Sequence, residues 1–540
     1  MTTLSDAYSR HCHLLTLAEE YFATGDYAAA VRLAQVAARY AFPANTGLFA
    51  SPRLERLLLG IGKQLPTASV CDARYHHSND PRNILHVLSF ARPVGGDSRF
   101  VWRWIQEDRN SRHSVAVTTQ ADVKEIYDVP VDLIQAAENS GGFFRILSAP
   151  TTKPLEQARE LRELCQTMDL VVLHLFPWDI IPILALAAGC DSVKTIFINH
   201  SDHTFWVGAS VAHIVVHLRR QSPHFLRNRR GLHPDKLSIL PIPLDYSPPT
   251  VTRVEAKRTL GFASDTVLLL TIASPFKYEA PGQIAFLDLV TPVLAKLPQA
   301  ILIAVGPDPN RVWRSASIQT DGRIISLGTQ WDNSLLYTAA DVYLDSVPFS
   351  SITSLLEAGS HGAALLGCYP SNCELELLGP GAPGLDTVME MASDLESYQN
   401  LLSRLINDAE FRQQRGQIVK AKILSLHTGS NWINVVRDIY MSIDRRNDRG
   451  CLLGNIDIFS ASSLDLALVE LYSRQPRSFR RLITKCIGTL PYRSRLTITW
   501  RLHRIGFDLS FLNLLPPPTD AIIFRVGRWV KSIGRWMLRI

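Results

Sequence analysis

Short apolar runs alternate with amphipathic stretches from residue 79 to residue 440. The runs fall into two groups, and each has the length of a buried strand. The first group is Ile84–Leu88, Ser114–Val117, Leu170–Leu175, Thr195–Ile198 and Ile214–Val216, and the second is Val267–Ile272, Ala300–Val305, Arg323–Leu327, Asp341–Leu344 and Ala363–Leu366. Strands that alternate with helices form parallel sheets covered on both faces. The pattern therefore predicts an α/β protein with two Rossmann-like, doubly wound domains, over residues 79–245 and 246–440.

A proline-rich segment, residues 239–249, separates the two groups and predicts a hinge. Ligands of open α/β sheets bind beyond the carboxyl ends of the strands. Two such domains joined by a hinge enclose a cleft, so we expect a ligand between them. In the second domain, helices are predicted over Gln283–Leu297, with a kink at Pro292, and over Ser350–His361.

Residues 1–78 have a helical pattern instead. Apolar side chains recur at helical spacing over residues 14–41, and Gly25-Asp26 divides them into a hairpin. This hairpin is similar to one tetratricopeptide-type unit. No second copy follows, and such repeats need about three units to be stable alone. We therefore expect a helical cap packed on the next domain rather than a partner-binding repeat array.

Charge sets the C-terminal extension, residues 441–540, apart from the rest of the chain. The net charge is +6, yet residues 471–540 alone carry fourteen Lys and Arg against two Asp. Residues 521–540 form a helical pattern with apolar side chains on one side and basic ones mostly on the other. Such a helix suits an anionic membrane surface, and a helix packed on the protein with a solvated basic face is the alternative. No nucleic-acid recognition module is visible, so nucleic acid is not an expected partner.

The cysteine pattern and the apolar stretches bear on the cellular compartment. The eight cysteines contain no C-x-x-C pair, which argues against a disulfide framework and a zinc site. Residues 1–20 have no clean apolar core typical of a signal peptide, and Val171–Cys190 is interrupted by polar residues and falls short of a membrane span. We expect a cytoplasmic protein, peripheral on the inner face of the membrane if the basic tail binds lipid.

Two segments of the first domain have candidate binding residues. Gly95-Gly96 follows the first strand and precedes a helical run, where glycine lets the backbone approach an anion or a sugar hydroxyl. His200, Asp202 and His203 follow the strand Thr195–Ile198, at the edge where parallel sheets place their chemistry. Hydrogen bonding to substrate is the favoured role of this second segment, and metal binding or a structural role is the alternative.

The second domain adds a lysine and a helix start. Lys277 follows the first strand of this domain, where its ammonium suits a diphosphate, although an ordinary surface lysine is the alternative. The turn containing Ser351, Thr353 and Ser354 offers free amides at a helix N-terminus, which is a phosphate site. Glu357 follows, and an acceptor-only carboxylate there takes both hydroxyls of a ribose. The alternative is an ordinary capped helix with a favourable acidic residue near its dipole.

The aspartate spacing argues against a metal-held diphosphate. No D-x-D pair occurs in the chain, and enzymes that hold a nucleotide diphosphate through Mg²⁺ or Mn²⁺ often use one. We therefore expect no metal and no cofactor, with Lys277, an Arg and a helix dipole neutralising the phosphates.

Taken together, these segments resemble a two-Rossmann-domain (GT-B) glycosyltransferase, close to the retaining family 4 group. The resemblance covers about residues 82–440, and Ser354–Ala358 followed by Gly362 is its most specific motif. The stretch Asn199–Gly208 also looks like a signature of bacterial members with a helical N-terminal region. The chain departs from the family at Ile272, where the family has an Arg on the diphosphate, and at Ser350, where it has an acid.

The resemblance implies a role for each candidate residue. Residues 79–245 would be the acceptor domain and residues 246–440 the nucleotide-sugar donor domain. Glu357 would bind the ribose, Lys277 the diphosphate and His200 the transferred sugar. The remaining implied contacts are with the donor through Ser351, Thr353, Ser354, Gly306 and Gly328, and with the acceptor or a phosphate through Gly95, Gly96, Asp202 and His203.

The implied function is a hexosyltransferase-type transfer from a nucleotide-diphosphate sugar to an acceptor hydroxyl. The acceptor would be a carbohydrate, a lipid-linked molecule or a protein. Retention would proceed by front-face attack, with the departing diphosphate helping to deprotonate the acceptor. A non-catalytic sugar-binding, nucleotide-binding or scaffold protein of the same fold is the alternative, and another two-Rossmann enzyme such as an epimerase or a phosphorylase is the third.

Overall fold

The computed structural model describes most of the chain. The described residues are 3–66, 82–93, 96–120, 129–147, 154–188, 190, 192–278, 285–369, 377–454, 462, 464–466, 468–469, 479–507 and 509. Gly95 and the predicted tail helix, residues 521–540, lie outside them.

Helices begin and end the described chain, and strands occupy its middle. The strands are β1 Asn83–Leu88, β2 Arg112–Val117, β3 Phe144–Ile146, β4 Leu170–His174, β5 Lys194–Asn199, β6 Ile214–His217, β7 Leu237–Ile239, β8 Val267–Ile272, β9 Ala300–Val305, β10 Ile324–Ser326, β11 Val342–Leu344, β12 Ala364–Cys368 and β13 Glu390–Ala392. The helices are α1 Leu4–Ala23, α2 Tyr27–Ala44, α3 Pro52–Gly62, α4 Gly96–Glu107, α5 Val131–Asn139, α6 Pro154–Cys165, α7 Ile181–Leu186, α8 Pro223–Asn228, α9 Arg253–Thr259, α10 Phe286–Lys296, α11 Arg311–Gln319, α12 Ser334–Ala339, α13 Ile352–Ser360, α14 Leu395–Asn407, α15 Ala409–His427, α16 Gly429–Asp444, α17 Phe479–Ile487 and α18 Tyr492–Arg504.

The strands form two parallel sheets. The first has seven strands in the order β3-β2-β1-β4-β5-β6-β7, and the second has six in the order β10-β9-β8-β11-β12-β13. In both sheets the order reverses beside the first strand of the domain, which is the doubly wound arrangement. The predicted fold class is confirmed. Three edge strands, β3, β7 and β13, were not predicted, because each has only three residues and a mixed pattern of burial.

The N-terminal helices pack directly on the first domain. One apolar core contains Leu14 of α1, Ala34 of α2, Ile183 of α7 and Leu502 of α18. Glu55 of α3 is buried and accepts the amides of residues 208 and 210 in the loop after β5, at 2.9 and 2.7 Å. Apolar packing and this buried carboxylate therefore both join the helical cap to the first sheet.

Arg162 of α6 joins the same elements through its guanidinium. It is buried and donates to the carbonyls of Gly62 and Leu65 at the end of α3, at 2.7 and 3.0 Å. It also donates to Leu184 and Ala185 of α7, at 2.9 and 2.8 Å. The Gly62, Leu184 and Ala185 carbonyls belong to the last turns of their helices and lack partners within them, so one side chain satisfies the ends of two helices.

The chain crosses between the domains twice. It leaves the first domain after β7 through residues 240–245 and returns after α15, so that α16 packs on the first sheet. Trp432 of α16 is fully buried, and its indole donates to the Pro241 carbonyl at 2.7 Å. The Leu244 amide donates to the His427 carbonyl at 2.8 Å. Hydrogen bonds therefore hold the two crossings side by side at the predicted hinge.

Beyond α16, helix α18 leaves Tyr492, Leu496 and Trp500 exposed at a spacing of four residues. Among the described helices, none combines the length and the apolar character needed to cross a membrane. The contact of residues 521–540 with an anionic membrane stays a prediction.

Replacing Arg162 with methionine tests how the cap is attached. The change keeps an unbranched side chain but leaves the buried carbonyls without a donor. We expect the free energy of unfolding to fall by about 3 kcal/mol or more, since each buried acceptor left unpaired costs ~1–3 kcal/mol. Urea unfolding followed by tryptophan fluorescence measures the change. Arg159→Met, exposed on the same helix, is the matched control, and equal stability of the two variants would contradict the assignment.

Candidate functional site

A cleft of about 520 Å³ lies between the carboxyl ends of the two sheets. Gly96, Arg99 and Arg103 of α4 line it from the first domain. The second domain contributes the start of α13, where the candidate residues are Ser351, Thr353, Ser354 and Glu357, together with Gly306 and Tyr337. The structure therefore brings the predicted donor-binding residues of α13 to the wall that faces the first domain.

Glu357 makes ion pairs across the cleft. Its Oε1 lies 3.1 Å from Arg103 Nη2 and 3.5 Å from Arg99 Nη1. The Arg103 side chain is 11% exposed and the Arg99 side chain 33%. Arg103 also donates to the Pro243 carbonyl of the hinge at 3.3 Å. Two cations on one wall therefore face one carboxylate on the other, and of these three residues the sequence predicts only the carboxylate.

The loop before α13 is shaped by a buried carboxylate. Asp345, at the end of β11, accepts the Ser350 hydroxyl at 2.6 Å, the Tyr369 hydroxyl at 2.5 Å and the Ser351 amide at 3.0 Å. Burial raises the pKa of Asp345, an effect that these donors oppose. Ser350 therefore occupies the position where the family that the chain resembles has an acidic residue. Its hydroxyl donates to Asp345, five residues earlier in the chain.

The first turn of α13 presents backbone donors to the cleft. Within the described chain, the Ser351 side chain makes no capping hydrogen bond to that turn. The first amides of a helix have no partners within the helix and carry its positive dipole end. The turn is therefore able to receive an anion at the point where Thr353 and Ser354 line the cleft.

Lys277 lies beneath this turn. Its ammonium donates to the Ser350 carbonyl at 2.8 Å and sits 4.6 Å from the centre of the Phe349 ring. Burial lowers the pKa of Lys277 to about 8, although the nearby Asp345 acts in the opposite direction. The lysine therefore supports the loop and adds positive potential one residue from Ser351 of the cleft wall.

Gly306 follows β9, at a point where the backbone closely approaches Ala273, the residue after β8. Its φ is +109°, and a Cβ atom there would lie 1.9 Å from the Ala273 carbonyl oxygen, so only glycine fits. Its amide donates to the Gly328 carbonyl at 2.8 Å. Gly306 lines the cleft, and Gly328 precedes Thr329, which also lines it.

Asp202 and His203 lie in a buried network beside the interface between the domains. Burial would raise the pKa of Asp202, but Arg219, 2.6 Å away, and His217 together hold it below its usual value. The His203 ring lies 4.5 Å from that of Phe349 in the second domain. Burial, assisted by Arg219, lowers the pKa of His203 to about 3. His203 thus contacts the second domain next to the Lys277 loop, and Asp202 is held within the first domain by Arg219.

His200 is one end of a row of buried histidines. Its Nε2 lies 3.0 Å from His174 Nδ1, and two more rings, His86 and His113, continue the row beneath α4. The row is not evident from the sequence alone. His86 and His174 are polar residues in strands that are otherwise mostly apolar, and that is the signal that indicates them.

The described residues contain no group of three His, Cys, Asp or Glu side chains that converges as a metal site. The imidazoles of the row contact one another through nitrogen atoms, so the nitrogens inside the row point at neighbouring rings rather than at a common centre.

The chain is similar to solved structures but matches no protein-family model and no curated protein. A glycosyltransferase from Rickettsia africae ESF-5 aligns with a TM-score of 0.51 and 13% identity, over 68% of this chain and 99% of that one. The chain has a GT-B fold. At this identity the likeness shows the fold alone.

Two further solved structures align less closely. An O-GlcNAc transferase from Thermobaculum terrenum has a TM-score of 0.46 and 15% identity, over 82% of each chain. WaaG, a glycosyltransferase involved in lipopolysaccharide biosynthesis, also has a TM-score of 0.46 and 15% identity, over 66% of this chain and 99% of that one.

A double-mutant cycle tests the ion pairs across the cleft. We expect Arg103→Ala and Glu357→Ala to couple by about 1–2 kcal/mol in urea unfolding, because the pair is short and mostly buried. Arg99→Ala and Glu357→Ala should couple by less than about 0.5 kcal/mol, because that pair is longer and more exposed. Equal coupling in the two cycles would contradict the observed geometry.

Proposed function

We propose that the protein is a glycosyltransferase that moves a sugar from a nucleotide-diphosphate sugar to an acceptor hydroxyl. The observation that carries the proposal is the pairing of unlike groups across the cleft. One wall offers the Glu357 carboxylate beside the first turn of α13, and the other offers the Arg99 and Arg103 guanidiniums. A nucleotide sugar has a diol and a diphosphate that match these groups.

The ribose belongs at Glu357 in this proposal. An ionised carboxylate accepts hydrogen bonds only, so it suits the adjacent hydroxyls of a ribose. In the structure the same oxygen holds Arg103 at 3.1 Å. When a ribose takes that place, the arginines are released toward the adjoining diphosphate.

The diphosphate is neutralised by protein cations and amides in this proposal, without a metal. Arg99 and Arg103 supply charge from the first domain, and the α13 amides and Lys277 supply it from the second. The arginines of the first domain compensate for the missing arginine at position 272, where this chain has Ile272, because they provide the second cation from the opposite wall. Retention of configuration follows from the family resemblance and is part of the proposal.

A binding and hydrolysis panel tests the function. The panel contains uridine, guanosine and adenosine diphosphate sugars and the free nucleotides, with EDTA in one series and Mn²⁺ in another. We expect one donor to raise the melting temperature and to be hydrolysed slowly, equally in both series. Glu357→Ala should weaken donor binding by about 1–3 kcal/mol, because buried polar partners are left unmatched.

Glu396, at the start of α14 and outside the cleft, provides the control variant Glu396→Ala. This variant should bind the donor as the wild type does. If no nucleotide or nucleotide sugar binds at millimolar concentration, the proposal is wrong and the chain is a scaffold with a GT-B fold. A requirement for Mn²⁺ would overturn only the metal-independent part.

Lys277 predicts that the affinity for a nucleoside diphosphate depends on pH. Since the pKa of Lys277 is about 8, its ammonium is present below pH 8 and is lost as the pH rises. Nucleoside diphosphate affinity should therefore fall by up to about tenfold between pH 7 and pH 9. Calorimetric titration at both values measures it. Lys277→Arg stays charged and should remove the dependence, and an equal loss in that variant would exclude Lys277 as its source.

A further inference from the structure

Four imidazoles form a continuous hydrogen-bonded row under helix α4. His113 Nδ1 lies 3.0 Å from His86 Nε2, and His86 Nδ1 lies 3.0 Å from His174 Nε2. His174 Nδ1 lies 3.0 Å from His200 Nε2. Each contact joins an Nδ1 to an Nε2, so the row has a direction.

The order of the strands produces this row. His113 is on β2, His86 on β1 and His174 at the end of β4, and these three strands are neighbours in the sheet. His200 follows β5, the next strand. The side chains share the sheet face that Phe100 and Trp104 of α4 cover, and that cover separates the row from water.

The contacts of His113 determine the tautomer of every ring in the row. His113 Nε2 lies 3.1 Å from the Asp108 backbone carbonyl and 3.4 Å from the Asp108 carboxylate. Both groups only accept, so His113 Nε2 holds a hydrogen and its Nδ1 accepts from His86. The same argument passes along the row through His174 to His200. Each of the four rings is therefore protonated at Nε2, and His200 Nδ1 is left as an acceptor.

That free acceptor is at the cleft end. His200 Nδ1 lies 3.8 Å from Asp97 Oδ1, too far for a direct hydrogen bond. Asp97 is the residue after Gly96 of the cleft wall, and about a third of its side chain is exposed. His200, whose side chain is 8% exposed, therefore lies beside the cleft wall with a lone pair that can take a hydrogen bond from a hydroxyl.

Burial disfavours a positive charge on the two inner rings of the row. Burial lowers the pKa of His86 and His174 well below the usual value, and each is lowered further by its histidine neighbours. Burial also lowers the pKa of His200, but Asp97 and Asp202 oppose this.

At the other end, burial would raise the pKa of Asp108. Its contact with His113, and hydrogen bonds from Ser111 and Tyr440, hold that pKa below its usual value instead. The ionised Asp108 carboxylate therefore lies beside His113, where it compensates an added positive charge.

We propose that His86, His113 and His174 are a proton relay through which His200 acts as a base toward the acceptor hydroxyl, with the proton stored on His113 beside Asp108. The inference rests on the proposed transferase function. It assigns deprotonation of the acceptor hydroxyl to the protein, whereas the family resemblance assigns that step to the departing diphosphate.

The transfer balances as four proton movements. The bond between the anomeric carbon and the diphosphate oxygen breaks, and its electron pair leaves with the nucleoside diphosphate. The acceptor oxygen forms the new glycosidic bond, its O–H bond breaks, and the proton joins His200 Nδ1. His200 passes its Nε2 proton to His174 Nδ1, His174 passes its own to His86, and His86 passes its own to His113 Nδ1. His113 is then an imidazolium against the Asp108 carboxylate, and the other three rings are neutral.

Nuclear magnetic resonance of the full chain with ¹⁵N-labelled histidine tests the ground state without any substrate. Long-range ¹⁵N–¹H correlations distinguish protonated from bare ring nitrogens, and single His→Gln variants assign the signals. We expect Nε2-protonated rings at His86, His113, His174 and His200 at neutral pH. A hydrogen on Nδ1 of neutral His200 would overturn the proposal.

Breaking the relay at its centre tests proton transfer. In His86→Gln, the amide oxygen accepts from His174 and the amide nitrogen donates to His113, so the hydrogen bonds persist while no proton passes. We expect melting temperature, donor affinity and the His200 tautomer to match the wild type, while kcat falls by about 10²-fold, the lower range for a lost general base. The substrate is the panel donor that the wild type hydrolyses fastest.

His213→Gln is the matched control. His213 is also buried in this sheet, and its Nδ1 accepts the Thr195 amide at 3.0 Å outside the row. A kcat for His86→Gln within about threefold of this control would overturn the relay. If no donor is bound at all, the proposed function fails, and the tautomer measurement still decides whether His200 presents the acceptor on which the relay depends.

Discussion

The burial of four imidazoles under one helix is the constraint on which the site depends. A buried polar nitrogen without a partner is destabilising, so the row is tolerated because each inner nitrogen contacts a neighbouring ring at 3.0 Å. With the row paired, Phe100 and Trp104 of α4 can close over it. An adjacent side of α4 then faces the cleft with Arg103, since successive residues of a helix point about 100° apart. The packing of α4 on the row and the position of its arginines in the cleft are therefore set together.

The cleft walls have charges of both signs before any ligand enters. The second domain contributes an anion, Glu357, and the first contributes two cations, Arg99 and Arg103. The dipole of α13 and the Lys277 ammonium add positive potential on the anion's own side. In the proposed function, a ligand that has both a diol and a diphosphate would replace each of these internal contacts with one of its own, and this would favour such ligands over simple anions.

The sequence predicts most of the architecture and part of the site. Runs of apolar residues such as those of β1 and β8 are visible because buried parallel strands are apolar on both faces. The Glu357 segment is visible because a polar turn before a helix is local in sequence. Arg103 was not found, because its role depends on how one domain faces the other. The histidine row was not found, because it depends on the order of strands in the sheet.

Helix α16 follows the second domain in sequence but belongs to the core of the first. Trp432 is buried there, and Tyr440 accepts the Trp104 indole at 3.0 Å. The units that can be exchanged between proteins of this fold are therefore not the two halves of the chain. A chimera that imports a new second domain must take residues from the hinge to about His427 and retain the native α16. A fusion made after Asp444 would pair a foreign helix with a first domain shaped for its own.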